Sequence, residues 1–176
     1  MFSVKKIVTA SLLIALGIVL PMAFHSIPNA GRIFLPMHIP VLLCGLTCGL
    51  PYGLAVGVMT PILSHLLTGM PPTVMLPSMV CELAAYGAVS ALLMYYVKVK
   101  NIYLKIYISL IGTMVFGRVF YGILNALIFS AGEYSMQIWL TAAFVTALPG
   151  VAIQLILIPA VIIALQKSKL IKVPQA

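Results

Sequence analysis

Gly49-Leu50-Pro51-Tyr52-Gly53 interrupts an apolar stretch that otherwise runs from Pro36 to Leu67. How it is read sets the number of membrane crossings. Clustered glycine and proline are strong turn punctuation. Taken as a turn, they leave a second span from about Pro36 to Gly49 and a third from about Tyr52 to Leu67. Both are then short of the roughly 20 residues that cross the hydrocarbon perpendicularly. Such spans are expected to be half-buried, or tilted with local thinning of the bilayer. Taken as one helix, the same stretch gives five spans in the whole chain.

The flanking sequence supplies the other crossings. A first span covers roughly residues 6–24, followed by a loop with Pro28, Asn29, Gly31 and Arg32. Gly69-Met70-Pro71-Pro72 breaks the chain before a fourth span from Pro77 to Val97. Lys98 to Lys105 form a basic loop, and a fifth span runs from about Ile106 to Ser130. Ala131 to Ser135 turn the chain into a sixth span from Gln137 to Leu165, and a basic tail follows.

Charge chooses between five and six. With six spans and a cytoplasmic amino terminus, Lys5, Lys6, Lys98, Lys100, Lys105, Lys167, Lys169 and Lys172 all fall on the inner side. The loops on the other side hold one basic residue, Arg32. That is the asymmetry of the positive-inside rule. Five spans would set the tail lysines opposite Lys5 and Lys6. The expected fold is therefore all-α: an integral membrane bundle of six transmembrane helices, amino and carboxyl termini cytoplasmic, forming one domain over residues 1–176.

Composition agrees. Hydrophobic residues make up 63% of the chain and charged residues 7%, where a soluble domain carries about 25% charged. Mean hydropathy is +1.20. In lipid every backbone polar group must be paired within a helix or a closed barrel, and these long, non-alternating runs are helical. The net charge of +8 does not indicate nucleic acid, because the basic residues punctuate apolar runs rather than lining a face. Met1 to Lys6 precede an apolar stretch as in a secretory signal, but that stretch extends from about Ile7 to Phe24, beyond a signal core. It reads as a retained span.

This topology assigns depths to the polar residues. His25, His38, His65, Glu82, Tyr121, Asn125, Gln137 and Trp139 all fall in the outer half, and the inner half is almost purely apolar. Glu82 and Arg118 are the only acid and the only base well inside spans. Charges at such depth face the bundle interior, pair with each other or line a cavity. At the helical rise Arg118 lies roughly 10 Å deeper than Glu82, a gap that long side chains partly close. The pair reads either as a salt bridge between the fourth and fifth spans or as the polar heart of a ligand pocket, and a ligand can open such a pair. His25 reads as interfacial, His38 as the cap of a helix start, and His65 as the histidine best placed for a pocket. Trp139, Tyr86 and Tyr121 fit an aromatic belt or stack on a flat ligand. The candidate substrate-binding set is thus Arg118, Glu82, His65, Tyr86, Tyr121, Asn125 and Trp139.

Cys44, Cys48 and Cys81 lie in apolar runs. Cys44 and Cys48 share a helix face, which suits small packing residues better than a metal or redox pair. No spacing sets two histidines on one helix face, so no metal site and no cofactor are expected. Ser11 and Ala15 form a small-x-x-x-small spacing that lets another helix approach closely, inside this bundle or on a partner. No Walker motif, nucleophile elbow or His-Glu-x-x-His appears, and the chain has two acidic residues in all. An enzyme would have little to work with.

Pro40-Val-Leu-Leu-Cys-Gly45-Leu-Thr-Cys-Gly49-Leu-Pro51-Tyr52-Gly53-Leu-Ala-Val-Gly57 resembles the stretch linking the second and third helices in the substrate-binding S components of energy-coupling factor (ECF) vitamin transporters. Size and topology resemble that family along the whole chain. The Ser11 to Ala15 spacing is similar to its Ala-x-x-x-Ala contact, with serine for the first alanine. Thr60-Pro61 stands where many members carry an acid. The resemblance implies a subunit of the bacterial plasma membrane that binds a vitamin-like small molecule near the outer face. It also implies docking, through Ser11 and Ala15, on a coupling transmembrane subunit carrying two ATPases. The partners expected are these proteins, the substrate and membrane lipid. A stand-alone secondary carrier or small channel is the alternative, and it would need polar residues along a full path.

Overall fold

The computed structural model describes residues 3–24, 27, 29–129 and 135–169. Among these residues the elements are α1 (Val4–Ala23), α2 (Ala30–Phe34), α3 (His38–Cys48), α4 (Leu50–Thr68), α5 (Leu76–Tyr96), α6 (Ile102–Leu124), α7 (Met136–Leu140) and α8 (Leu148–Lys167). π-Helical turns extend α6 over Asn125–Phe129 and α7 over Thr141–Thr146. Six segments are long and apolar enough to cross a membrane: α1, α2 with α3, α4, α5, α6 with its extension, and α8. His25, Pro28, Lys172 and most of the turn at Ala131–Ser135 lie outside the described residues.

The decisive turn is where the sequence places it. α3 ends at Cys48, Gly49 takes φ 94° and ψ 179°, and Pro51 lies in the first turn of α4. Only glycine adopts that backbone without strain, and proline's missing N–H is harmless at a helix start. Neither span is as short as expected, however. The third is a 19-residue helix. The second begins at Ala30, taking in Gly31 and Arg32 as α2 before a break at Leu35, which adopts a left-handed φ of 51°. Gln154 of α8 donates to the Leu35 carbonyl at 3.5 Å, and the His38 amide does so at 3.1 Å, so the break is satisfied. Gln154 thus serves this kink.

Two further boundaries move. The basic loop ends at Asn101, whose side chain caps α6 by accepting from the amides of Tyr103 and Leu104. Lys105 consequently lies on α6 and is buried. The sixth segment is not one helix. It breaks at Ala147, ahead of Leu148-Pro149-Gly150, and only α8 is long enough to span. At Gly150 the α8 backbone packs on the carbonyls of Ile33 and Phe34, where any side chain would collide.

α3 is the hub. Every residue from His38 to Leu46 is buried, with α1, α4 and α5 packed around it. Glycines permit this crowding: Gly53 of α4 and Gly87 of α5 face each other backbone to backbone. Gly57 meets the Leu83 carbonyl, and Gly45 of α3 meets Gly87 and Ser90. Close backbone approach through small residues is how helices associate in lipid, where apolar side chains gain nothing by leaving the solvent. Lys6 ties α1 to this core by donating to the Cys48 carbonyl at 2.8 Å, at the carbonyl-rich end of α3. The Ser3 amide donates to the Tyr52 hydroxyl at 3.1 Å. The start of α1 therefore shares one end of the bundle with the α3–α4 turn, and His38 lies at the opposite end.

Candidate functional site

The opposite end holds the acid and the base that stood out in the sequence. Glu82, in the second turn of α5, brings Oε1 to 3.8 Å from Arg118 Nη1 of α6 and 3.3 Å from His38 Nε2 at the start of α3. Side-chain exposures are 3% for His38, 7% for Glu82 and 11% for Arg118, so all three are withdrawn from solvent. The depth gap expected between Glu82 and Arg118 is closed by the packing of α6 on α5. Gly117 packs on the ring of Tyr86, setting Arg118 level with Tyr86, one turn from Glu82.

His38 was not among the expected site residues. It opens α3, but its side chain makes no capping bond. It turns toward Glu82 and meets the Tyr86 ring edge-on, centroids 4.9 Å apart. The signal for it was present in the sequence, since His38 falls at the same end as Glu82 in a chain short of acids.

Tyr86 is buried, and its hydroxyl donates to the Met114 carbonyl at 3.4 Å, fixing the ring as a wall between α5 and α6. Trp139 of α7 donates its indole N–H to the Arg118 carbonyl at 2.9 Å and lies flush on Gly122, where no side chain fits. It therefore roofs the backbone that carries Arg118. Tyr121 lies within electrostatic reach of Glu82, Arg118 and Arg32. Asn125 is buried, and its amide donates back to the Tyr121 carbonyl at 2.8 Å where the π-helical turn begins. His65 is placed differently: Nδ1 bonds the Pro71 carbonyl at 2.7 Å and so fastens the α4–α5 loop. The structure thus gathers Glu82, Arg118, Tyr86 and Trp139 with His38, while His65 and Asn125 bond nearby backbone.

The cluster is polar but unsaturated. Glu82 Oε1, both ring nitrogens of His38 and Arg118 Nε are buried without a hydrogen-bond partner, as are the hydroxyls of Thr60 and Ser64 on α4. An unpaired buried polar group costs about 1–3 kcal/mol. A ligand presenting complementary groups would recover that cost. Toward the other end Ser90 donates to the Gly87 carbonyl and Thr113 to that of Ser109, while the buried Ser109 hydroxyl has no partner. Cys44 and Cys48 are buried in the core, and Cys81 is exposed. Among the described residues no three His, Cys, Asp or Glu side chains gather as a metal site.

Six apolar helices, with an acid–base cluster buried at one end, define a multi-pass membrane protein. Compared with known families, residues 5–162 match the ECF transporter, substrate-specific component. The chain belongs to that family and is a substrate-specific subunit of an ECF transporter. No curated protein and no solved structure matches it significantly.

Proposed function

We propose that this chain, acting as one unit over residues 1–176, binds a vitamin or vitamin-like small molecule for ATP-dependent uptake across a bacterial plasma membrane. Both termini face the cytoplasm in this reading, which sets the His38–Glu82–Arg118 cluster toward the exterior. The observation that carries it is the set of unpaired buried polar atoms on these three residues, drawn from three helices and enclosed at one end. Glu82, Arg118 and His38 recognise polar groups of the substrate, Tyr86 and Trp139 bound it, and Tyr121, Asn125 and His65 complete the rim.

The chain carries no ATPase motif, so energy comes from partners: a coupling transmembrane subunit and two ATPases. Ser11 and Ala15 are exposed on α1, whereas Ala10, Leu13 and Gly17 face inward. That exposure favours docking of the small-residue pair on a partner over packing within the bundle.

The test is ligand affinity. Protein purified from its host is analysed by native mass spectrometry to identify the bound molecule, and affinity is then measured for wild type and Arg118→Ala. Arg118→Ala is expected to weaken binding more than about tenfold, or about 1.4 kcal/mol. Unchanged affinity in a folded variant removes the cluster from the site. Copurification of a larger membrane protein with two ATPases is expected, and their consistent absence would favour the stand-alone carrier.

A further inference from the structure

The charges in the cluster constrain what it binds. Glu82 is the only acidic side chain among the described residues. It meets Arg118 through one nitrogen at 3.8 Å, and neither this contact nor that with His38 is a hydrogen bond. Arg118 Nε is buried and unpaired. The planar fork of a guanidinium matches a carboxylate with two parallel N–H donors, and this one meets Glu82 through Nη1 alone while Nε has no partner. Its backbone is pinned by Trp139 above Gly122. At the same end Arg32 contacts only the sulfur of Met75, at 3.6 Å, and no carboxylate among the described residues lies within ion-pair distance of it.

We propose that the substrate is a carboxylate, and that its binding draws one proton from bulk water onto His38. This rests on reading the cluster as the substrate site. In the empty site the charges of Arg118 and Glu82 offset one another. A carboxylate seated on the Arg118 fork leaves Glu82 facing His38 alone, and the buried group would carry one uncompensated negative charge. Buried charge without a partner is strongly unfavourable. His38, already 3.3 Å from Glu82 Oε1, restores neutrality by taking a proton: the imidazolium then pairs Glu82 while the guanidinium pairs the ligand. A cationic ligand finds no second acid among the described residues, and a neutral one offers the fork no pair of carboxylate oxygens.

Apart from Glu82 itself, whose protonation would persist in a His38→Gln variant, no other group is placed to take the proton. From α5, Tyr86 presents its ring edge to His38 and commits its hydroxyl to Met114. From α4 come the hydroxyls of Thr60 and Ser64, and His65 is bonded to Pro71. α6 brings the Arg118 guanidinium, which donates hydrogen bonds and has no acceptor, and Tyr121. α8 brings Gln154, bonded to Leu35. Lys5 and Lys6 of α1 and Lys167 of α8 belong to the opposite end of the bundle. On α3 itself Cys44 and Cys48 lie further along the helix, packed in the core.

Benzoate, benzamide and benzamidinium share one ring and differ in charge. Titrated into the detergent-purified full chain, they are followed through Trp139, the single tryptophan, whose indole is bonded to the Arg118 carbonyl. Benzoate is expected to bind at least about tenfold more tightly than the other two. Calorimetry in two buffers of different ionisation heat should show about one proton taken up per benzoate. His38→Gln should abolish proton uptake while leaving a response to benzoate. Arg118→Gln should remove the preference for benzoate, and so should Arg118→Lys, which keeps the charge, loses the fork and serves where the glutamine variant does not fold. A preference for benzamide or benzamidinium, benzoate binding without proton uptake, or silence toward all three overturns the carboxylate assignment and leaves the site reading to its own test. A benzoate response unchanged in both Arg118 variants overturns the assignment and the site reading together.

Discussion

Glu82 faces two bases at once, and this makes it the residue whose loss the fold should feel most. Glu82→Ala leaves Arg118 buried with no counter-charge, a change that costs about 3–5 kcal/mol when one partner of a buried ion pair is removed. Thermal unfolding in detergent should show that drop. Glu82→Gln, which retains an acceptor, should lose clearly less, and equal losses would mean the charge itself contributes little. Trp139→Phe isolates a second residue. It keeps an aromatic roof on Gly122 but removes the indole donor to the Arg118 carbonyl. Ligand affinity should fall several-fold while stability changes by about 1 kcal/mol or less. Glu82 and Arg118 were legible from sequence because charge within an apolar run stands out. His38 was not, because a histidine at a helix boundary satisfies the sequence equally well as a cap. Only the packing of α3 against α5 shows that it turns inward.

The elements repeat this lesson. The Gly49 turn was readable because it rests on local backbone chemistry, a positive φ followed by proline. The break at Ala147 carries the same kind of signal, Pro149-Gly150, which a single span from Gln137 to Leu165 passes over. There the α8 backbone must approach Ile33 and Phe34 closely, and nothing in the apolar run announces that neighbour. The same holds for the crossing of α4 and α5, where Gly53 and Gly87 leave no room for a Cβ. A side chain at either position must push the backbones of two helices apart. Gly87→Val is therefore expected to destabilise by more than the roughly 1–3 kcal/mol typical of overpacking a core, and to lower the yield of folded protein. Gly31→Val meets open space within α2 and serves as the control, with a small effect. Equal behaviour of the two variants would show that the α4–α5 contact is looser than the structure has it.

At the scale of the whole molecule, two asymmetries must coincide for the proposed function to hold. Lysines gather with the start of α1 and the α3–α4 turn, and the unsaturated acid–base cluster lies at the other end. Membrane orientation follows the lysines, so the cluster should face outward. Single cysteines at Lys100 and Thr73, both exposed and in opposite connecting loops, test this in a Cys81→Ser background. A membrane-impermeant maleimide applied to intact cells should label Thr73→Cys and spare Lys100→Cys, and the reverse would invert the binding site. The lateral surface carries the remaining prediction. α1 is the least enclosed of the six spans, and Ser11 and Ala15 lie on its exposed side, away from the inward-facing Ala10, Leu13 and Gly17. A bulky side chain there touches nothing in this chain but blocks close approach by another helix. Ala15→Leu should thus leave ligand affinity of the isolated subunit unchanged and reduce the copurified coupling subunit about tenfold. Ser11→Leu should act in the same direction. Loss of ligand affinity in either variant would place this face inside the binding machinery, and undiminished copurification would move the docking surface to another helix.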